Sequence, residues 1–469
     1  MVIALVLVSV AQFLIALDYS IVYLALPSIE GSLRIAPGLV QWVVSAYGVL
    51  FAGFLVVGGR LTDRFGPVRM FVIAISLFGI ASGAGAAAGN GAVLVAARGV
   101  QGLGAALLQP AVLGLIGTSF PAGPARSRAL AVWAAVGAAG LAVGALLGGL
   151  LTAASWRLTL LVNLPPALLC ALAAVRWLGA AGRADGTSGR AGGQAGRIPV
   201  TGAALGTGSV LSVALFLTLG GEQGWTAPVT LGCLALAVAL TLCFLRNEGT
   251  SPSVLIDRAL RGDRSVRTGA AAAALYMASV GSEFYLLTLL LQQADHYSPL
   301  RAGLAFLPLA VMVTAGSAAG GRAVRQAGAP AVLTAGFLIA AAGLLWLAVT
   351  LRGGNYLADL LPGLLLSGFG HGAIYTATFI IGSRDVPASA QGSAGALLTT
   401  AQYLSGAVTL AVLTLVLGQW PGRSGFTAAF AALAAAAAAG SVLGLHRPAA
   451  GRRASTARCG PGECPEVPA

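Results

Sequence analysis

Three ionisable side chains lie inside long apolar stretches of the sequence, where a charge is costly. Asp18 interrupts FLIALDYSIVYLALP, Arg98 begins RGVQGLGAALLQP, and Glu283 lies in SVGSEFYLLTLLL. An aspartate or arginine at the centre of a membrane helix costs roughly 2.5 to 3.5 kcal/mol on insertion scales. Residues of this kind usually pair with one another or take part in moving protons, ions or ligands, so each of the three is a candidate functional residue.

Glu283 is the better candidate for a group that takes up and releases a proton. In a regular helix it shares one stripe with Tyr276 and Ser279, and no basic residue lies in its own apolar stretch. Such a carboxyl group could alternate between its protonated and ionised forms as water reaches it from one side or the other. The alternative is a permanently neutral, hydrogen-bonded glutamate.

Two further polar stripes follow helical spacing. Ser367, His371, Tyr375 and Thr378 are four, four and three residues apart, which is typical of a cavity lining. A lone histidine is more often a packing residue than a working one, so His371 is the weaker candidate. Arg98 and Gln101 share a third stripe with Gln109. Because a buried arginine needs a partner, Arg98 is either a functional residue or is held by carbonyl groups of a neighbouring helix.

The elements that carry these residues are membrane helices. Of the 469 residues, 57% are hydrophobic and only 9% are charged, and the mean hydropathy is +0.88, so there are too few charges to cover a water-soluble domain. Apolar runs of about 20 residues predict an all-α polytopic membrane protein. The predicted spans, in groups of six, two and six, are 3–26, 39–59, 69–89, 92–119, 129–152, 157–178, 200–219, 227–245, 268–292, 303–321, 330–351, 356–381, 392–418 and 425–446.

This division predicts six segments of chain. They are a six-helix bundle at 1–178, a cytoplasmic Gly/Arg-rich loop at 179–199, two extra transmembrane helices at 200–245, a cytoplasmic loop at 246–267, a second six-helix bundle at 268–446 and a cytoplasmic tail at 447–469.

Charge sets the predicted orientation. All 27 basic residues are arginines; with both termini inside, 21 lie on the cytoplasmic side, 5 lie outside, and Arg98 lies within a span. The formal net charge of +13 is explained by these inside loops, so nucleic acid is not a predicted partner. Cys459 and Cys464 are expected to be free thiols rather than a disulfide or metal site.

An internal repeat supports two related halves. GGRLTDRFG at 58–66, named here the clamp segment, and GGRAVRQAG at 320–328 share the pattern GGR, five residues, Gly. Each follows the second predicted span of its six-helix half. Parallel repeats of this kind are typical of one large class of secondary transporters.

With these motifs the sequence resembles the major facilitator superfamily, specifically its fourteen-helix drug:proton antiporter branch. The resemblance implies the major facilitator fold, with two six-helix bundles plus two additional central helices. Gly59, Asp63, Arg64 and Gly66 match the signature loop between helices 2 and 3. In the family this loop clamps the two halves at the cytoplasmic face, and Asp63 would meet a helix N-terminus of the other half.

Other motifs match the same branch. RGVQGLGAALLQP resembles the helix 4 motif, whose arginine is linked to proton transfer or substrate binding. Gly140, Gly144, Gly148 and Gly149 match the helix 5 antiporter motif, although Ala145 replaces the usual proline and so removes the expected source of a kink; close helix packing explains the glycines equally well. The branch signature in WRLTLLVNLPPALL consists of Trp156, Arg157, Asn163 and Pro165.

Asp18 lies where the family carries an embedded acid, which implies a role in proton coupling or in holding helix 1 against a partner. Gln12, Tyr19 and Tyr23 share one stripe, and Asp18 lies about 100° from it. The sequence leaves open whether Asp18 faces a cavity.

The resemblance implies an exporter of drugs, antibiotics or other lipophilic molecules that is driven by the proton gradient and needs no cofactor. The expected partners are a lipophilic small molecule, protons and the lipid bilayer, and the expected state is a monomer in the cell membrane. An importer of a small nutrient on the same fold is the first alternative. A membrane-embedded enzyme or receptor is remote, because no nucleophile elbow, phosphate-binding loop or metal motif is present and the chain has three histidines.

Overall fold

The apolar stretches form long helices throughout the described chain. The computed structural model describes residues 2–35, 37–178, 199–251, 254–351, 355–420 and 422–445. The predicted tail at 447–469, with Cys459 and Cys464, lies outside these residues, as does the predicted loop at 179–199 except for Pro199.

Six helices form the N-terminal half, two follow it, and six form the C-terminal half. The first eight are α1 (Val2–Leu33), α2 (Pro37–Phe65), α3 (Pro67–Ala86), α4 (Gly91–Ser119), α5 (Pro124–Ala154), α6 (Trp156–Leu178), α7 (Val200–Gln223) and α8 (Pro228–Thr250). The last six are α9 (Arg264–Gln292), α10 (Arg301–Ala327), α11 (Ala329–Thr350), α12 (Tyr356–Gly382), α13 (Ala388–Gln419) and α14 (Arg423–Leu445).

Within the described residues, 13 helices are long and apolar enough to cross a membrane, and the number reaches 14 when the bent α5 counts as one span. The predicted all-helical fold with two groups of six is thereby confirmed. The bend in α5 is 41° between Leu141 and Leu146, in a helix that has Ala145 where the family usually has proline.

The two halves pack by the same scheme. α1 lies against α5 and α2 against α4 in the first half, while α9 lies against α13 and α10 against α12 in the second. The halves meet along two seams, one between α2 and α13 and the other between α5 and α10. The additional helix α7 packs on α8, α2 and α13, so the extra pair covers the first of these seams.

Two predicted loops are largely helical, which corrects the sequence-based boundaries. The clamp segment, predicted as a loop, is helical through Phe65, so Gly59, Asp63 and Arg64 belong to α2 and only Gly66 makes the turn, at φ 86°. In the predicted loop at 246–267, α8 continues to Thr250, a short helix covers Arg258–Gly262, and α9 starts at Arg264. Helical backbone bonding continues past the apolar stretch, which hydropathy does not detect.

Candidate functional site

A polar cluster within the N-terminal half surrounds Asp18, which has no exposed surface. Its Oδ2 accepts a hydrogen bond from Nη1 of Arg98 at 2.7 Å. Its Oδ1 accepts from the amide nitrogens of Gln101 at 2.8 Å and Asn163 at 2.9 Å. All three partners lie in the N-terminal half, so Asp18 faces α4 and α6. Tyr23, which belongs to the neighbouring stripe of α1, is 47% exposed.

Arg98 is held by the carboxylate of Asp18 and by a carbonyl group of a neighbouring helix. Besides Asp18, its Nη1 donates to Oε1 of Gln101 at 2.7 Å, and its Nε donates to the carbonyl of Val43 at 3.0 Å. The guanidinium carbon lies 4.6 Å from the ring centroid of Tyr47. A buried ion pair persists when further hydrogen bonds satisfy its remaining groups, as they do here. The cluster is therefore a neutralised pair, fixed by α1, α2, α4 and α6.

The glycines of the helix 5 motif bring α1 into position. A Cβ atom at Gly140 would lie 2.8 Å from the carbonyl oxygen of Phe13, and one at Gly144 would lie 2.6 Å from that of Leu17. Ser20 donates across the same contact to the carbonyl of Leu141 at 2.9 Å. These two glycines thus serve close packing within one half. Gly148 is buried, and Gly149 has open space around it.

The branch signature residues support the same region. Trp156 is buried, and Arg157 lies over its ring while donating to the carbonyl oxygens of Ala86 and Ala88, both at 2.7 Å. Pro165 lies in the first turn of the helical segment that follows Asn163. Asn163, known from the sequence only as a signature residue, donates a hydrogen bond to Asp18. The sequence carried no signal for that pairing because the two residues are 145 positions apart.

A second buried carboxyl group lies in the C-terminal half and has a different environment. Glu283 of α9 has no exposed surface, and its Oε1 accepts from the hydroxyl of Ser367 at 2.7 Å. Its Oε2 is buried without a hydrogen-bond partner among the described residues. In the described part of the chain, Glu283 belongs to none of the ion pairs.

The predicted stripe through Tyr276, Ser279 and Glu283 is buried, and a π-turn at Met277–Gly281 lies within it. Ser279 donates to the carbonyl of Leu275 in its own helix. Tyr276 instead makes a short hydrogen bond to Nε2 of His371, while Nδ1 of His371 is buried without a partner in the described structure. The predicted α12 stripe therefore meets α9 at two points, through Ser367 and through His371.

Aromatic rings join the two halves one helical turn beyond His371 on α12. Trp133 of α5 stacks on Tyr375 of α12 at 5.4 Å and meets Phe379 edge to face at 4.9 Å. On the other seam Phe51 of α2 meets Tyr403 of α13 at 4.6 Å. Tyr375 is thus a contact between the halves. Sequence reasoning missed Trp133, Phe51 and Tyr403 because apolar aromatic residues carry no distinctive spacing in an apolar helix.

The clamp segment is closed against the C-terminal half. Oδ2 of Asp63 accepts from the backbone N–H of Ser393, in the first turn of the regular part of α13, at 3.1 Å. This is the helix N-terminus contact that the resemblance implied. A Cβ atom at Gly59 would lie 2.9 Å from Cα of Ser393, so glycine is required for this approach. The guanidinium carbon of Arg64 lies 5.4 Å from the ring centroid of Phe65 in the same segment.

At the opposite end, Arg157 and Arg423 each bind partners within their own half. Arg157 binds Ala86 and Ala88, and Arg423 binds the carbonyl of Leu351 at 3.1 Å and Asp295 at 2.7 Å. The described residues contain no group of three or more metal-ligating side chains. The arrangement is that of two helical bundles that meet at the clamp end and carry buried carboxyl, hydroxyl, imidazole and aromatic groups.

Comparison with known proteins identifies the family. The model of the Major Facilitator Superfamily matches residues 8–410. The chain belongs to this superfamily. It is 35% identical to the puromycin resistance protein pur8 of Streptomyces alboniger, covering 91% of this chain and 83% of that protein. It is also 35% identical to the cephamycin export protein CmcT of Amycolatopsis lactamdurans, covering 91% and 87%. A multidrug resistance protein, Stp, of Mycobacterium tuberculosis (strain CDC 1551 / Oshkosh) is 30% identical, covering 87% and 74%.

Solved structures show the same superfamily fold. The human organic anion transporter MFSD10 matches with a TM-score of 0.68 at 16% identity, covering 94% of this chain and 99% of that one. The proton:xylose symporter XylE matches with a TM-score of 0.66 at 15% identity, covering 94% of each chain. At these identities the likeness concerns the fold alone. This chain is therefore a multi-pass membrane transporter of the superfamily, related to drug and antibiotic efflux proteins, and is not an enzyme.

Proposed function

We propose that this transporter is a proton-coupled exporter of lipophilic small molecules that works by alternating access. The observation that carries the proposal is the buried carboxyl group of Glu283, which has no ion-pair partner among the described residues. Asp18 in the other half is neutralised by Arg98. A carboxyl group without a cationic partner is stable in a dry site only when protonated, and it ionises when water enters. Opening and closing of the site would therefore change its protonation state.

The transport cycle follows from this difference. The halves are in contact at the clamp end, and the distribution of arginines supports a cytoplasmic location of that end in the plasma membrane, with both termini inside. In this conformation protons from outside would protonate Glu283 and favour release of substrate. After the halves rock to open the clamp end, Glu283 would lose its proton to the cytoplasm and accept a new substrate. The protein itself needs no cofactor.

One proton is sufficient for useful work. Moving one charge inward yields about 2.3 kcal/mol per 100 mV of membrane potential. At 1.4 kcal/mol per tenfold concentration ratio, that supports roughly a 50-fold gradient of a neutral substrate.

Both the relatives and the lining of the site favour a lipophilic and partly aromatic substrate. The relatives' names give puromycin resistance, cephamycin export and multidrug resistance as their roles. The seams between the halves carry Trp133, Tyr375, Phe51 and Tyr403, whose rings offer stacking surfaces once the seams open. An ionised Glu283 would act as a counter-ion for a cationic substrate.

Import of a small nutrient is the second candidate, and the proton:xylose symporter shows that the fold supports it. Its likeness to this chain is one of fold only. Hydroxyl-rich nutrients are bound by many hydrogen-bonding side chains, whereas the seams here are mostly aromatic and apolar. The named relatives are also export and resistance proteins, so export is the better supported function.

The decisive experiment is proton-driven movement of a lipophilic cationic dye in proteoliposomes under an imposed pH gradient. Wild type is compared with Glu283→Gln, which keeps the shape of the side chain but cannot ionise, and with Asp18→Asn. We expect Glu283→Gln to lose at least tenfold of gradient-driven transport while dye binding and gradient-independent exchange remain.

The two variants also separate the alternatives. Unchanged gradient-driven transport in Glu283→Gln would remove this residue from coupling and move the role to the Asp18 and Arg98 pair. Accumulation of a nutrient with the proton gradient, without movement of any dye against it, would establish the importer instead.

A further inference from the structure

The connection between the extra helices and the C-terminal half is folded onto the clamp end. Glu248, in the last turns of α8, is only 2% exposed although it carries a carboxyl group. Its Oε1 accepts from the backbone N–H of Leu255 at 2.6 Å, and its Oε2 accepts from that of Ile256 at 3.2 Å. Arg261 of the following short helix makes a short ion pair with the same carboxylate. Glu248 thus fixes Leu255, Ile256 and Arg261 of the connection relative to α8.

This folded connection is anchored both to the extra helix α7 and to residues of the two halves. The side chain of Leu255 is buried against α7, where it would contact a Cβ atom at Gly202 or Gly206. Leu260 is buried in an apolar cluster that contains residues of both halves, including Leu113 of α4 and Leu398 of α13. The connection continues into α9, whose first turn is capped by Asp263 through the backbone N–H of Val266 at 3.0 Å.

Arg60 joins this connection to the clamp segment. Its Nη2 donates to the carbonyl oxygen of Val254 at 2.7 Å, a contact between residues 194 positions apart. Arg60 stands next to Gly59, where α2 comes closest to Ser393, and three residues before Asp63, which accepts from the Ser393 N–H. The hydrogen bond therefore fixes the part of α2 that closes the clamp end.

We infer that the α8–α9 connection is a latch on the clamp end, and that Arg60 and Glu248 are its positioning residues. Glu248 holds Val254 and its neighbours in place, Arg60 binds them, and α2 is thereby kept where Asp63 meets α13. The latch gives the two extra helices a role in the transport cycle, since opening the clamp end requires Arg60 to leave Val254. This inference rests on the proposed alternating access and adds a control point to it.

The chain offers a matched control in its own repeat. Arg322 occupies the position of Arg60 in GGRAVRQAG, at the end of α10, and its side chain is exposed. The connection between α8 and α9 is covalently continuous with the C-terminal half, yet it binds the repeat of the N-terminal half. Replacing Arg322 should therefore leave the clamp end as it is, although the sequence context of the two arginines is the same.

The test measures the clamp end directly in the full chain. Spin labels are attached at Arg69→Cys and Gln326→Cys, two exposed positions in opposite halves near the clamp end, after the five native cysteines have been replaced. Distance distributions are recorded by pulsed electron paramagnetic resonance in nanodiscs for the parent protein, Arg60→Gln, Glu248→Gln, Arg60→Lys and Arg322→Gln. Dye transport is measured on the same preparations.

We expect Arg60→Gln and Glu248→Gln each to raise the ratio of open to closed clamp ends about fivefold, which corresponds to about 1 kcal/mol. Arg60→Lys, which keeps a cationic donor, should recover most of the closed population, and Arg322→Gln should change the ratio less than twofold. Distance distributions identical to the parent in Arg60→Gln would overturn the latch, even if Glu248→Gln fails to fold. Failure of the parent to move any dye would instead count against the proposed function, and the distances would still decide on the latch.

Discussion

The two halves of the transporter each bury a carboxyl group, but they neutralise it in different ways. Asp18 in the first half binds an arginine and two amide groups, with donor distances between 2.7 and 2.9 Å. Glu283 in the second half has one hydroxyl partner and one oxygen without a partner in the described structure. The charge of Asp18 is thus matched within its own half, whereas Glu283 has no cationic partner in the described structure.

This difference bears on the proposed roles of the halves. The Asp18 cluster joins α1, α4 and α6 and contacts α2 through Val43, so it ties the helices of the first half together. The Glu283 site lies beside a π-turn. π-turns are frequent at functional sites because they interrupt regular helix bonding. In the proposed mechanism the first half would supply the framework, and Glu283 in the second half would be the group that responds to protons.

The largest effect is expected when the ion pair between Asp18 and Arg98 is broken. Arg98→Met leaves Asp18 buried without its cation, which typically costs about 3 to 5 kcal/mol. We expect a strong loss of folded protein and of thermal stability, measured by fluorescence-detected size-exclusion chromatography after heating in detergent.

The control for this prediction removes both charges. The double variant Asp18→Leu/Arg98→Met no longer contains an unpaired charge and should recover much of the stability lost in Arg98→Met. A double variant as unstable as the single one would show that Arg98 acts mainly through Val43, Gln101 and Tyr47 rather than through Asp18.

A second comparison concerns the two repeats. Gly66 and Gly328 end them in nearly the same conformation, with φ and ψ of 86° and 145° and of 84° and 154°. Gly59 and Gly321 both allow close approach to the other half, to Ser393 and to Ala131. Asp63, however, corresponds to Arg325, which donates to the carbonyl of Gly321 in its own helix at 3.3 Å. Only the first repeat places a carboxylate on a helix N-terminus.

The next largest effect follows from this asymmetry. Asp63→Asn removes the negative charge from the N-terminus of α13, an interaction of about 1 kcal/mol, and should raise the open fraction of the clamp end roughly fivefold. Arg325→Gln, at the corresponding position of the second repeat, should have less than half that effect. Equal effects in the same spin-label measurement would mean that both seams hold the clamp end and that the asymmetry has no functional weight.

The smallest effect concerns the single partner of Glu283. Ser367→Ala removes one buried hydrogen bond, which is worth about 1 kcal/mol, and frees the carboxyl group in its site. We expect gradient-driven dye transport to fall a few-fold, with thermal stability lowered only by about the 1 kcal/mol of that hydrogen bond. Ser279→Ala is the matched control, because Ser279 bonds its own helix on the neighbouring turn and should leave transport close to wild type.

Much of the fold could be predicted from the sequence because membrane helices are set by local composition. Every predicted span corresponds to a helix, and the ends differ by a few residues where helix bonding continues beyond the apolar core. The repeat also predicted the relation between the halves, and the family resemblance predicted the contact of Asp63. These features depend on short stretches of chain or on motifs with fixed spacing.

The site was predicted only in part. Asp18, Arg98 and Glu283 stood out because charges are rare in apolar helices, but their partners did not. Asn163 gave no sign of binding Asp18, and Trp133 gave no sign of stacking on Tyr375. The π-turn within the stripe on α9 was also not predicted, because one added residue leaves no mark in an apolar sequence.

The amino-acid sequence alone establishes that this chain spans a membrane many times, in two related groups of six helices, and that it carries ionisable groups at membrane depth. The pairing of Asp18, the lack of a cationic partner for Glu283 among the described residues, and the contact of Arg60 with the connection beyond the extra helices become visible only in the folded arrangement. The physical reason is the range of the interactions. Hydropathy and helix formation act within about 20 residues, whereas burial, ion pairing and seam contacts join residues that are distant in the chain.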